Sequence, residues 1–192
     1  MRVETSYGIL RAGLALSTVA ASLCVWVGAG HATDWVAREG VKLRLVSSAT
    51  ALNGATKSTI GLDIDLDPGW QFYGRDPGEY AFPPKFDWSG SENVRGATIV
   101  WPAPTRYVFS TRPPVTTLGY KGEVLLPIVL QTASADEPAA VRLSLDYAVC
   151  NEYCIQDKVA LALTLRSGPG EITADAKRIE NWLVRAAKNA GR

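Results

Sequence analysis

Cys150 and Cys154, with three residues between them, sit in the stretch Asp146-Tyr147-Ala148-Val149-Cys150-Asn151-Glu152-Tyr153-Cys154-Ile155-Gln156. Two cysteines at this spacing can form an inert disulfide, exchange disulfides with other thiols, or offer two thiolates to a soft metal. A disulfide needs Cα atoms about 4.4–6.8 Å apart, whereas four steps along an extended strand cover about 13 Å. The chain must therefore reverse at Asn151-Glu152-Tyr153, where Asn is a favourable turn residue. Closing so small a ring removes little entropy from the unfolded chain, about 2 kcal/mol against about 4.7 kcal/mol for a hundred-residue loop. A bond meant as a staple would span more chain; a tight ring suits one that is made and broken.

The flanking runs alternate. Val141, Leu143, Leu145, Tyr147 and Val149 share one face upstream, and Val159, Leu161, Leu163 and Leu165 do so downstream, the period of half-buried strands. Strict alternation puts Cys150 on the opposite, wet face with Arg142, Ser144 and Asp146, within reach of a partner. The nearby charges at Asp146, Glu152 and Asp157 are acidic and disfavour a thiolate. The pair is expected to be attacked by an incoming thiolate, with the second cysteine resolving the mixed disulfide.

The 192 residues suffice for one domain with appendages, and a 47% hydrophobic composition with six Trp and seven Tyr excludes a disordered chain. Arg2 and Arg11 precede a continuous apolar run from Ala12 to Gly30, and Gly30-His31-Ala32 has the small residues of a cleavage site. Residues 1–32 read as a secretory signal peptide cut after Ala32, the competing reading being a retained membrane anchor. Cys24 follows Leu23 rather than a small residue, which argues against a lipid-bearing cysteine. Removal of the leader takes Cys24, Met1 and His31 with it and leaves Cys150 and Cys154 as a lone pair, an even count that in an exported protein predicts a disulfide. Without histidine, Ser-His-Asp and Cys-His catalysis and histidine-bearing zinc sites fall away. Losing two of the 20 basic and one of the 19 acidic residues leaves the charge balanced, so there is no electrostatic case for nucleic acid.

Further strands are read at 41–47, at 59–67 with Asp63, Asp65 and Asp67 on the wet side, at 97–101 and at 124–130. Residues 107–118, with Pro113 and Pro114, read as an exposed loop. Near the C-terminus Ile172, Ala176, Ile179, Leu183 and Ala186 recur at helical spacing, with Thr173 as the expected N-cap. No segment after the leader is apolar enough to span a membrane. Short strands without strand–helix alternation point to an all-β, immunoglobulin-like β-sandwich with a short C-terminal α-helix. The expected division is a signal peptide at 1–32, a sandwich domain at 33–170 and the helix at 171–192.

Several motifs occur in order: Gly69-Trp70-Gln71-Phe72-Tyr73-Gly74-Arg75-Asp76-Pro77-Gly78, Pro83-Pro84, Asp87-Trp88-Ser89-Gly90-Ser91, Trp101-Pro102-Ala103-Pro104, Gly119-Tyr120, Leu126-Pro127, and the cysteine stretch itself. Over about residues 41–166 the sequence resembles the N-terminal periplasmic domain of the thiol:disulfide interchange protein DsbD and its relatives in the suppressor-of-copper-sensitivity group. The resemblance implies a thiol–disulfide oxidoreductase relay in the periplasm, without a cofactor or metal. Cys150 and Cys154 would be its redox pair, with Cys154 bonding substrates and Cys150 resolving. The donor would be a thioredoxin-like or membrane-embedded redox protein, and the acceptor an exported disulfide oxidoreductase or isomerase. It also implies a cap loop at about 107–120, with Phe109 as lid aromatic and Tyr120, Tyr147 and Tyr153 as site-wall or partner contacts; the residue-level alternative for Tyr147 and Tyr153 is ordinary strand aromatics. Gln156 stands where relatives commonly have proline, and the three-residue spacing is that of the copper-suppressor branch. This chain has no membrane or thioredoxin-like domain, so the expectation is a free-standing version whose donor is another protein.

Three rivals remain at this level: an exported binding module with a structural disulfide, a copper(I)-handling protein using the two thiolates, and a carbohydrate binder stacking sugars on Trp70, Trp88 and Trp101.

Overall fold

The computed structural model describes residues 31–78, 81–111 and 114–190. Eleven strands and one helix follow in order: β1 (Val36–Arg38), β2 (Val41–Ser47), β3 (Lys57–Leu66), β4 (Gln71–Tyr73), β5 (Lys85–Asp87), β6 (Val94–Ile99), β7 (Thr105–Thr111), β8 (Pro114–Tyr120), β9 (Glu123–Thr132), β10 (Ala139–Cys150), β11 (Cys154–Leu165) and α1 (Ala176–Ala190). One sheet runs β1-β2-β3-β9-β6 and the other β11-β10-β4-β8-β7, all pairs antiparallel. Both β4 and β5 pair with β10, β4 at Val149 and Cys150 and β5 at residues 144–146. The result is an immunoglobulin-like β-sandwich, as the strand pattern predicts.

The two inner faces meet in one core. Leu43, Leu45, Ile60, Leu62, Ile64, Leu126, Ile128 and Leu130 of the first sheet face Phe72, Val141, Leu143, Leu145, Val149, Val159 and Leu165 of the second. These are the alternating positions of the sequence, and each fully buried Leu or Ile contributes about 1.5–3 kcal/mol of transfer free energy.

The helix covers the outer face of the first sheet. Ile179 packs on Val46 and Leu125, with Trp182 and Leu183 alongside. This placement corrects three readings. Asp63 does not face water: it is fully buried, its carboxylate gripped by both Nη atoms of Arg178 at 2.5 Å and by Arg44 Nε at 3.0 Å. A buried carboxylate is tolerable only when so paired. Thr173 does not cap the helix, which starts at Ala176; its hydroxyl donates to the Ser47 carbonyl instead, tying the approach to the helix onto β2. Ile172 lies before the helix and is exposed.

The expected loop at 107–118 is a hairpin of β7 and β8. Pro114 is compatible because it opens β8, where a missing backbone N–H costs nothing. The pairing shifts between Val108 and Ser110, a bulge at Phe109. The bridge between Ala32 and Val46 brings the chain into the first sheet just ahead of β1.

Arg178→Ala should lower the unfolding free energy by about 3 kcal/mol, the lower end for breaking a buried pair because Arg44 remains. Urea denaturation checks it; a loss under about 0.5 kcal/mol would contradict the clamp.

Candidate functional site

The cysteine pair closes the β10–β11 hairpin. Cys150 and Cys154 lie directly opposite each other, form a disulfide, and have Cα atoms 4.1 Å apart. The reversal occurs at Asn151-Glu152-Tyr153, as the distance argument requires. Asn151 makes the turn: its side-chain oxygen accepts the Tyr153 N–H at 3.1 Å, and its own N–H donates to the Tyr153 carbonyl at 2.9 Å.

The two sulfurs occupy unlike surroundings. Cys150 ends an interior strand, with β11 on one side and β4 on the other, where it pairs with Gln71. It does lie on the face away from the core, as alternation predicts, but that face is not wet here: Cys150 is fully buried in a small cluster with Tyr73 and Ala148, and Ala81 packs against it. Cys154 begins the edge strand and is exposed.

Tyr73, not singled out from the sequence, reaches both sulfurs. Its hydroxyl oxygen lies 3.0 Å from Cys150 Sγ and 3.5 Å from Cys154 Sγ. A disulfide carries no S–H, so the phenol is the donor. The sequence shows Tyr73 within an aromatic motif, but its place beside the pair of Cys150 and Gln71 is set by the β4–β10 register. Burial pushes the Tyr73 pKa up, partly opposed by a hydrogen bond from the Gln71 amide. Gln71 Nε2 also donates to Thr117 Oγ1 at 3.1 Å, and all three residues are buried.

The other expected site residues scatter. Tyr147 faces the core, stacked on Phe72 with centroids 5.8 Å apart, and its hydroxyl donates to Asp157 at 3.3 Å. Burial, then the Asp157 charge, push its pKa up. Tyr120 is buried and donates to the Pro102 carbonyl at 2.8 Å; burial raises its pKa too. Phe109 lies in β7, but its side chain falls outside the described residues. Tyr153 adjoins the exposed Cys154: it is 53% exposed, donates to Glu39 Oε1 at 2.6 Å and sets its ring edge-on to Trp70 at 5.5 Å. Trp70 in turn lies over Gly40, where a Cβ would fall 2.3 Å from the ring and where φ is +74°. Arg38 completes the brace with an ion pair to Asp157 at 3.3 Å. The turn bearing the cysteines is thus fastened to the β1–β2 turn. Further along β11, Phe82, Pro83, Lys85, Asp146, Gln156 and Lys158 line an open cleft of about 590 Å³.

Among the described residues Trp70, Trp88 and Trp101 form no exposed row: Trp70 is buried, and Trp88 and Trp101 are half-buried against the core. Among the described residues no three His, Cys, Asp or Glu side chains cluster as metal ligands, and no helix is long and apolar enough to cross a membrane.

Residues 43–166 match the family described as the N-terminal domain of thiol:disulfide interchange protein DsbD. The chain belongs to this family. It is a thiol–disulfide interchange domain whose cysteine pair stands at bonding distance. Among solved structures it is similar to the N-terminal periplasmic domain of ScsB from Proteus mirabilis, at 26% identity and a TM-score of 0.63, covering 80% of this chain and 58% of that one. The chain therefore spans little more than half the length of that structure. The reduced N-terminal domain of DsbD from Neisseria meningitidis also matches, at 12% identity and a TM-score of 0.39, covering 70% of this chain and 90% of that one. No curated protein sequence matches the chain.

Tyr73, Tyr120 and Tyr147 all have pKa values raised above the ordinary 10. The unfolded chain therefore loses these protons first, so their contribution is intact below about pH 10 and is lost as pH rises beyond it. The urea midpoint should fall above that pH, and Tyr147→Phe should shrink the fall; a midpoint flat into strong alkali would contradict the buried phenols.

Proposed function

We propose that the chain is a periplasmic module that relays electrons through a reversible Cys150–Cys154 disulfide. The supporting observation is the asymmetry of the pair: Cys154 is exposed on an edge strand and Cys150 is fully buried. Only Cys154 offers its sulfur to an incoming nucleophile.

The exchange balances in two steps. A donor thiolate attacks Cys154 Sγ; the S–S bond breaks and its electron pair leaves on Cys150 Sγ. The donor's second thiolate then attacks its own sulfur in the mixed disulfide and expels the Cys154 thiolate, leaving the donor oxidised and this pair, after taking up two protons, reduced. Passing the electrons on reverses the roles. Cys154 attacks an acceptor disulfide, and Cys150 attacks Cys154 Sγ to close the ring and free the acceptor as a dithiol.

Under this reading the donor is a thioredoxin-like or membrane-embedded redox protein, and the acceptor an exported disulfide oxidoreductase or isomerase. Tyr153, exposed beside Cys154, is the partner contact at the tip. Tyr147 and Tyr120 serve the core instead, and the shielding of Cys150 by Tyr73 and Ala81 does the work expected of a cap. Residues 1–32 act as the export signal, 33–170 as the exchange domain, and 171–192 as the C-terminal segment whose helix, Ala176–Ala190, braces it. The similar ScsB domain, described as periplasmic, supports that location.

Cys150→Ala should accumulate mixed disulfides with exported proteins through the unresolved Cys154, and Cys154→Ala should trap at least about tenfold less. The potential of the wild-type pair should lie above about −300 mV. Equal failure of both variants to trap, with a potential below that value, would make the bond structural and the chain a binding module.

A further inference from the structure

The Tyr73 hydroxyl is placed on the sulfur that the exchange expels. Tyr73 sits on β4 next to the residue pair Gln71–Cys150, and its ring is buried against Cys150 and Ala148. Its oxygen is nearer Cys150 Sγ, at 3.0 Å, than Cys154 Sγ, at 3.5 Å. The disulfide sulfurs carry no hydrogen, so the phenol proton is the one that these contacts share.

A buried thiolate without a donor is costly, because burial disfavours the charged form. The side chains packed against Cys150 in that cluster, Tyr73, Ala148 and Ala81, carry one polar group between them, the Tyr73 hydroxyl. When a thiolate attacks Cys154 Sγ, negative charge grows on Cys150 Sγ in this dry setting, where a preorganised donor has its largest effect.

We propose that Tyr73 is a catalytic residue of the exchange: its hydroxyl hydrogen-bonds the Cys150 sulfur as the S–S bond breaks, stabilising it as leaving group, and holds the same thiolate until it attacks to close the ring. This rests on the exchange reading above and adds to it which group lowers the barrier. The phenol keeps its proton throughout: the electron pair of the S–S bond passes to Cys150 Sγ, the new bond forms between the attacking sulfur and Cys154 Sγ, and Tyr73 contributes only a hydrogen bond. Burial raises the Tyr73 pKa, so the donor hydrogen is present across the neutral range.

The test is the second-order rate at which reduced dithiothreitol opens the disulfide of the full chain. Tyr73→Phe keeps the ring and removes the donor, and should slow opening by about tenfold, the scale of one hydrogen bond to a charged group. A fluorinated tyrosine at position 73 keeps the shape and carries a more acidic hydroxyl. It should exceed the wild-type rate, a trend with donor strength that a packing role would not produce. Wild-type opening with Tyr73→Phe within about twofold of it, or a fluorinated tyrosine as slow as Tyr73→Phe, would overturn the assignment. A wild-type disulfide that dithiothreitol does not open would instead contradict the exchange reading itself. Should Tyr73→Phe fold poorly, the fluorinated form decides alone, by running faster than wild type or not.

Discussion

The site depends on one constraint: the two cysteines face each other across the last rung of a hairpin whose strands have different ranks in the sheet. β10 is interior, paired on both sides at Cys150, whereas β11 is an edge. A symmetric environment would give two equivalent sulfurs and no order of events. Here the strand order itself separates an open sulfur from a closed one. The tight ring adds little to stability, which agrees with the proposed use of the pair in exchange rather than as a staple.

The rest of the molecule holds that rung in place. The sandwich core fixes β10 through Leu143, Leu145, Tyr147 and Val149, while Tyr73 and Ala81 seal the outer face over Cys150. The tip, which would otherwise be a free turn, is fastened through Tyr153 to Glu39 and Trp70 and through Asp157 to Arg38. On the far side, α1 covers the first sheet and buries Asp63 between two arginines. This polar clamp specifies where the helix lands more than it adds stability, since a hydrophobic contact of equal volume would serve as well energetically.

Much of this was legible in the sequence because period-2 alternation survives wherever one face is buried. Val141 to Val149 and Val159 to Leu165 showed the hairpin, and the distance argument located its reversal at residues 151–153. The exposure of Cys150 was misread because alternation reports which face a residue is on, and not what else lies on that face. Tyr73 and Ala81 come from chain some seventy residues away. The same gap hid Asp63, whose wet face is covered by a helix over a hundred residues later. Prolines 113 and 114 masked a hairpin, since proline signals a break without saying whether strands resume beyond it. Tyr73 was present in the motif that carried the family resemblance, yet its role depends on the β4–β10 register, which no local pattern records.

The account stands or falls on which sulfur receives the attacking thiol. The most direct measurement is to react the oxidised chain briefly with reduced glutathione, quench in acid and map the adduct by peptide mass spectrometry. The account predicts the glutathione on Cys154, with Cys150 left as the free thiol. Glutathione found chiefly on Cys150, or divided evenly between the two, would contradict it.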